Sequence, residues 1–211
     1  MATTAAKPEQ EKRHFTFEVR AENDDKHGDY LSGRPIVYDS RTDLGLFDEI
    51  IKAGALSETD LKDVRFLVNH NTDMIPLARS RNNNDNSTMQ MSVDKNGMAI
   101  RVNLDTENNS EARALYSAVQ RGDIDGMSFM FTIDGEEWAE LESDHPTRTI
   151  TKIGKVFEVS AVTFPAYADT ELSARSKNAL ESARNALESA KETPSDDVEL
   201  EKLKAKYLYN V

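Results

Sequence analysis

The sequence predicts an α+β fold: a β-rich domain over roughly residues 14–171 that carries a helical C-terminal tail over 172–211. Three observations lead there. Several segments alternate apolar and polar residues with the two-residue period of half-buried strands. One capped helical stretch interrupts them near the middle of the chain. From about residue 172 the pattern changes to a heptad repeat, "NALESAR" followed at once by "NALESAK", a spacing that suits helix pairing.

Residues 1–13 are polar and aperiodic, and read as a disordered N-terminal arm;. "FTFEVRA" sets Phe15, Phe17, Val19 and Ala21 on one face and Thr16, Glu18 and Arg20 on the other, a half-buried strand;. "GRPIVYDS" gives a second short strand. Its Pro35 predicts an edge or a strand start, because proline cannot donate to a ladder;. In "LGLFDEIIKAGAL" Phe47, Ile50 and Ile51 fall at helical spacing, with Gly54 as a stop;. "VRFLVNH" returns to strand, with Val64, Phe66, Val68 and His70 on one face. "TMQMSVDKNGMAIRVNL" is a hairpin. A two-residue turn at Asn96-Gly97 would set Val93 opposite Ile100, Met91 opposite Val102 and Met89 opposite Leu104;.

"NNSEARALYSAVQRGD" reads as a helix capped by Asn109 or Ser110, striped by Ala112, Leu115 and Val119, and ended by Gly122;. "MSFMFTI" and "KVFEVSAVTF" are strands separated by residues 134–151, a stretch too charged for a core. In the tail, Leu180, Ala183, Leu187 and Ala190 form a seam, Pro194 breaks the helix, and "SDDVELEKLKAKYLYNV" starts another.

The charge balance narrows the function classes. A net charge of −12 and a pI near 4.8 argue against a nucleic-acid partner, since phosphate neutralisation needs clustered Lys and Arg;. There is no cysteine, which excludes disulfides and thiolate metal sites and suits a reducing compartment;. No apolar run approaches the ~20 residues of a membrane span, and "MATTAAKPEQEKRH" lacks a signal-peptide core. The expectation is a soluble intracellular protein that engages neither membrane nor nucleic acid.

Three polar residues stand in otherwise apolar strands. His70 ends the face of Val64, Phe66 and Val68; Ser128 projects with Met130 and Thr132, opposite Met127, Phe129, Phe131 and Ile133; Glu158 lies in a strand apolar on both faces. Each has an ordinary structural reading: a histidine satisfied by backbone, a packed serine, a salt-bridged carboxylate. Together they also supply what acyl transfer needs. A serine hydroxyl attacks well only when an imidazole accepts its proton, and the imidazole needs a third group to orient it. Spacing alone does not show that the three meet. The segment 126–130 is Gly-Met-Ser-Phe-Met rather than G-x-S-x-G, so an α/β-hydrolase elbow is not present;. His14, His27 and His145 sit in polar surroundings and read as solvated. A metal hydrolase built on His70 and Asp73 lacks any H-E-x-x-H or cysteine set;.

The chain resembles the prohead (capsid maturation) serine proteases of tailed bacteriophages, distant relatives of herpesvirus assemblins. The resemblance is an ordered series: "LSGRPIVYDS", "LGLFDEIIKAGAL", "FLVNHN", "KNGMAIRVNL", "VQRGDIDGMSFMF" and "FEVSAVTFPAYADTEL". It covers roughly residues 15–172. It implies Ser128 as nucleophile, His70 as general base and Glu158 as third member, with Asp73 or His145 as substitutes in that last role. It implies a β-barrel-like, mainly antiparallel sheet flanked by helices. No cofactor or metal is expected. It also implies cleavage of the scaffolding segment of the major capsid protein, and of the protease itself, inside an immature shell in the host cytoplasm. Self-association stays open, as does the role of the tail, whether scaffold or shell docking or a self-association stem. The alternative from another class is a non-catalytic assembly protein that keeps a protease-like domain as a binding module. A histidine base further predicts that activity falls below about pH 6–6.5.

Overall fold

The computed structural model describes residues 10–15, 19–26, 28–163 and 170–192. In chain order their elements are β1 (Gln10–Phe15), β2 (Val19–Asp24), β3 (Gly28–Val37), β4 (Arg41–Asp43), β5 (Asp48–Ile51), β6 (Asp63–Val68), β7 (Ala78–Arg81), β8 (Met89–Asp94), β9 (Gly97–Asn103), α1 (Ser110–Arg121), β10 (Gly126–Ala139), β11 (Thr147–Val162) and α2 (Thr170–Glu192). The α+β class is as expected. The strands form two open sheets rather than a closed barrel.

The larger, seven-stranded sheet runs β1-β10-β11-β5-β4, with β6 also on β11 and β7 outside β6. It is mixed: β10 and β11 form a long antiparallel hairpin, whereas β5 and β6 both run parallel to β11. The smaller sheet is antiparallel, β2-β3-β9-β8. One core fills the space between the sheets, drawing Leu31, Met98 and Val102 from the smaller, Phe66, Phe129 and Val159 from the larger, and Leu115 and Val119 from α1. Burying a side chain of this size contributes about 1.5–3 kcal/mol.

The helix α1 has the caps its sequence calls for. The Asn109 side chain accepts from the Glu111 and Ala112 amides, and Gly122 closes the end in the left-handed region at φ 77°;.

Elsewhere the structure corrects the expectation. Residues 44–56 are not a helix. Phe47, Glu49 and Ile51 point inward and Asp48 and Ile50 are half-buried, the alternation of a strand. The apolar residues alone do not show the strand, because a charged residue, Glu49, takes one of its inward positions. It is 2% exposed, and its carboxylate meets the buried Arg148. The 88–104 hairpin is present but slipped by two residues: Met89 faces Val102, Met91 faces Ile100 and Val93 faces Met98. A slip of two preserves both faces, so the apolar pattern cannot detect it. Gly97 is used for contact. A Cβ there would lie 2.0 Å from the Ile36 carbonyl oxygen, and φ is 127°.

Pro35 sits inside a central strand, at the bulge between Gly33 and Ile36, rather than at an edge;. Residues 134–151 are the far half of the β10–β11 hairpin, tipped by a short loop at 140–146. Their charges are absorbed locally: Arg148 bonds Glu136 (Nε–Oε2 2.8 Å) and faces Glu49. Residues 10–13, expected in the disordered arm, form most of β1. Residues 1–9, His27 and the second tail helix lie outside the described residues, as does the 16–18 part of the "FTFEVRA" strand. Among the described residues, no helix is long and apolar enough to cross a membrane.

The tail seam is visible in part. Leu180 is buried, Ala183 and Leu187 are half-buried, and Arg184 donates to the Leu141 and Ser143 carbonyls at 3.0 and 2.9 Å. Through Arg184, α2 is thereby held on the tip of the β10–β11 hairpin.

Candidate active site

The three polar residues singled out in the sequence converge on one spot. β10 and β11 pair so that Ser128 lies opposite Ser160, and Met130 opposite Glu158. Glu158 and Ser160, two apart on β11, project from one face. β6 runs beside β11 in parallel, with Leu67 opposite Ser160 and Val68 opposite Ala161. The strand then stops, and Asn69 and His70 both take left-handed conformations, at φ 51° and 55°. Such residues are uncommon outside glycine, and here two in succession turn the chain back over the sheet. His70 is therefore not the last residue of a strand face, as its spacing suggested, but the corner after the strand.

Asn69 is pinned at that corner. Its amide N–H donates to the Ala161 carbonyl at 2.9 Å, and its side chain accepts from the Thr163 amide at 2.9 Å. The corner delivers the imidazole between the other two groups. Nε2 of His70 is 2.6 Å from Ser128 Oγ, and Nδ1 is 2.5 Å from Glu158 Oε1. With Nδ1 protonated and donating to the carboxylate, Nε2 presents a lone pair to the hydroxyl.

A fourth residue, Ser160, completes the arrangement. Its hydroxyl donates to Glu158 Oε2 at 2.5 Å, and Ser160 Oγ in turn accepts the His70 backbone N–H at 3.1 Å. One serine thus holds the far oxygen of the carboxylate and the backbone of the histidine. The sequence reading missed it, although the signal was there: a second polar residue two positions after Glu158, on the same face of an apolar strand.

The site is dry. Ser128 and Ser160 are fully buried and Glu158 is 3% exposed, while the side chain of His70 is 7% exposed. In such surroundings a charge-assisted hydrogen bond is stronger than in water. The arrangement can move a proton from a serine hydroxyl to an imidazole and stabilise the imidazolium that results, which is the first requirement of nucleophilic acyl transfer.

The other candidates lie elsewhere. Asp73 is exposed on the loop after His70, and the position facing Nδ1 is held by Glu158. His145 is at the tip of the β10–β11 hairpin, its Nε2 3.2 Å from Asp48 Oδ1 and 3.6 Å from Asp43 Oδ1. Arg41 already neutralises Asp48 there at 2.6 Å. Both ring nitrogens of His70 are engaged by protein groups, Nε2 by Ser128 and Nδ1 by Glu158.

A family model described as caudovirus prohead serine protease matches residues 15–184, which takes in the whole constellation and α2 as far as Arg184. Among solved structures, the capsid assembly protease of bacteriophage T4 is similar at 14% sequence identity with a TM-score of 0.39, over 74% of this chain and 99% of that one. No curated protein matches the chain.

Proposed function

Because the chain belongs to the caudovirus prohead serine protease family, we propose that it is a serine endopeptidase acting on capsid proteins during prohead maturation, with Ser128 as nucleophile, His70 as general base and Glu158 as the group that orients the base. The single observation that carries this reading is the continuous hydrogen-bond series from Ser128 Oγ through His70 to Glu158, at 2.6 and 2.5 Å.

The chemistry follows from those contacts. As Ser128 Oγ attacks the carbonyl carbon of a peptide bond, its proton passes to His70 Nε2. The imidazolium is stabilised by the Glu158 carboxylate. Collapse of the tetrahedral intermediate returns that proton to the leaving amine and leaves an acyl-serine. Water, deprotonated by the same nitrogen, then releases the acid and restores the hydroxyl. Ser160 takes no part in bond making; it holds Glu158 and the His70 backbone in register.

The substrate under this reading is the scaffolding segment of the major capsid protein, cut inside the immature shell, with the protease itself as a further substrate. The tail beyond residue 172 serves as a scaffold- or shell-docking element, anchored on the body through Arg184. Co-expression with the major capsid protein of the same phage, read by mass spectrometry, tests the proposal: trimming occurs with the unmodified chain and is abolished in Ser128→Ala. Trimming that persists in Ser128→Ala refutes it. Assembly that proceeds equally well with either chain, without trimming, favours the non-catalytic assembly role.

A further inference from the structure

Ser128 has none of its surface exposed, so a peptide bond reaches its hydroxyl only after a neighbouring segment moves. β1 lies directly alongside. It pairs antiparallel with β10 from Gln10 opposite Thr132 to Phe15 opposite Met127, which sets His14 across from Ser128. β1 is also the terminal strand of the sheet on that side. Its sequence, QEKRHF, has one apolar residue in six. A polar edge strand of this kind is among the more easily released parts of a sheet.

We propose that the edge of β10 over residues 127–132 is a strand-addition site for an extended peptide, and that β1 is the piece of the same chain that fills it in this structure. The inference rests on reading Ser128 as the nucleophile and adds to it where the substrate lies. The free N–H and C=O groups of a strand edge bind an extended chain through its backbone. β1 runs toward Met127 with increasing residue number, and its ladder ends one pair beyond Ser128. A peptide in the same place therefore lays about five residues along β10 and leaves the ladder beside the hydroxyl. Those five residues precede the bond that is cut. The partner class is accordingly an extended segment with an unpaired backbone, recognised mainly on the N-terminal side of the cleaved bond.

The test uses the full-length chain carrying Ser128→Ala, so that binding is read without turnover. The probe is a synthetic peptide with the sequence of residues 8–17, "PEQEKRHFTF", followed by fluorescence anisotropy. Neighbouring N–H groups of an edge strand point alternately to its partner and to solvent. Of Lys12→Pro and Arg13→Pro, one therefore removes a ladder bond and the other does not. If β1 occupies the site about nine-tenths of the time, releasing it tightens peptide binding about tenfold. The expected result is tighter binding by about that factor in one or both proline variants. Equal affinity in all three proteins overturns the proposal.

Hydrogen exchange on the unmodified chain gives an answer even where a proline variant does not fold. The amides of 127–132 that face β1 should exchange at least about tenfold faster than those that face β11, and equal protection overturns the proposal. Failure here is separable from failure of the proposed function. Capsid-protein trimming that survives Ser128→Ala refutes the nucleophile, whereas peptide binding is measured in a chain that already lacks it.

Discussion

Replacing Glu158 by glutamine removes a charge without changing size, and the structure indicates how the replacement fails. Ser160 Oγ lies 3.1 Å from the His70 amide nitrogen and 2.5 Å from Glu158 Oε2. An amide N–H can only donate, so the Ser160 oxygen accepts there and its own proton goes to the carboxylate. A glutamine offers one oxygen and one NH2. If the oxygen turns to Ser160, the NH2 faces His70 Nδ1 and drives the ring proton to Nε2, where it blocks acceptance of the Ser128 proton. If the oxygen turns to His70, the Ser160 hydroxyl loses its acceptor.

Loss of the charge alone removes a hydrogen bond of about 1.5–3 kcal/mol, which is about 10- to 150-fold in rate at about 1.4 kcal/mol per decade. The wrong tautomer carries the loss toward the ~10⁴ known for the corresponding change in Ser-His-Asp enzymes. The expected fall in kcat for Glu158→Gln is therefore about 10²- to 10⁴-fold with KM little changed, measured on a purified capsid-protein precursor. Adding Ser160→Ala should then raise the rate about fivefold, because it removes the group that draws the amide oxygen away from His70, a preference of about 1 kcal/mol. In the unmodified background the same Ser160→Ala lowers the rate. A Glu158→Gln enzyme at full activity, or a double variant slower than the single, refutes this reasoning.

Other expectations concern the frame around the site. Arg148→Ala removes the buried cation that faces Glu49, whose side chain is 1% exposed, and should cost about 3–5 kcal/mol. Thermal denaturation should show this as a drop of about 6–20 °C for a chain of this length. Gly97→Ala places a Cβ 2.0 Å from the Ile36 carbonyl oxygen; the expected loss is about 3 kcal/mol or more, read as a lower urea midpoint with α1 intact.

Acid should weaken the smaller sheet. The Ser32 hydroxyl, and then that of Tyr30, hold the Glu22 carboxyl below its ordinary value of 4.5. Thr106 and Asn23 do the same for Asp29, ordinarily 3.8. A depressed carboxylate stabilises the fold above its unfolded value and loses that contribution as pH falls through the folded one. The urea midpoint should therefore decline from about pH 4.5 downward, and less steeply in Glu22→Gln.

What the sequence made legible follows how local each signal is. Asn109 and Gly122 announced the ends of α1 because caps act within one turn of the residue that provides them;. The candidate nucleophile and its partners stood out as polar residues in apolar strands, and an ordered set of family-like segments joined them. The left-handed corner at Asn69 and His70 had no such signal, because it is set by the ladder that β11 offers β6. The strand at 48–51 read as a helix because the inward Glu49 is satisfied by Arg148, 99 residues away. The slipped hairpin kept every face, so only the close approach of Gly97 to Ile36 discriminates the register. Ser160 was readable in principle, since a carboxylate buried in an apolar strand needs more than one partner.

The central claim is that His70 and Glu158 activate one particular hydroxyl. Reaction with diisopropyl fluorophosphate, which phosphorylates activated serines, tests it most directly when the adduct is mapped by peptide mass spectrometry. The prediction is a single adduct on Ser128 that disappears in His70→Ala although that variant remains folded. An adduct on another serine, or equal labelling of Ser128 without the imidazole, contradicts it.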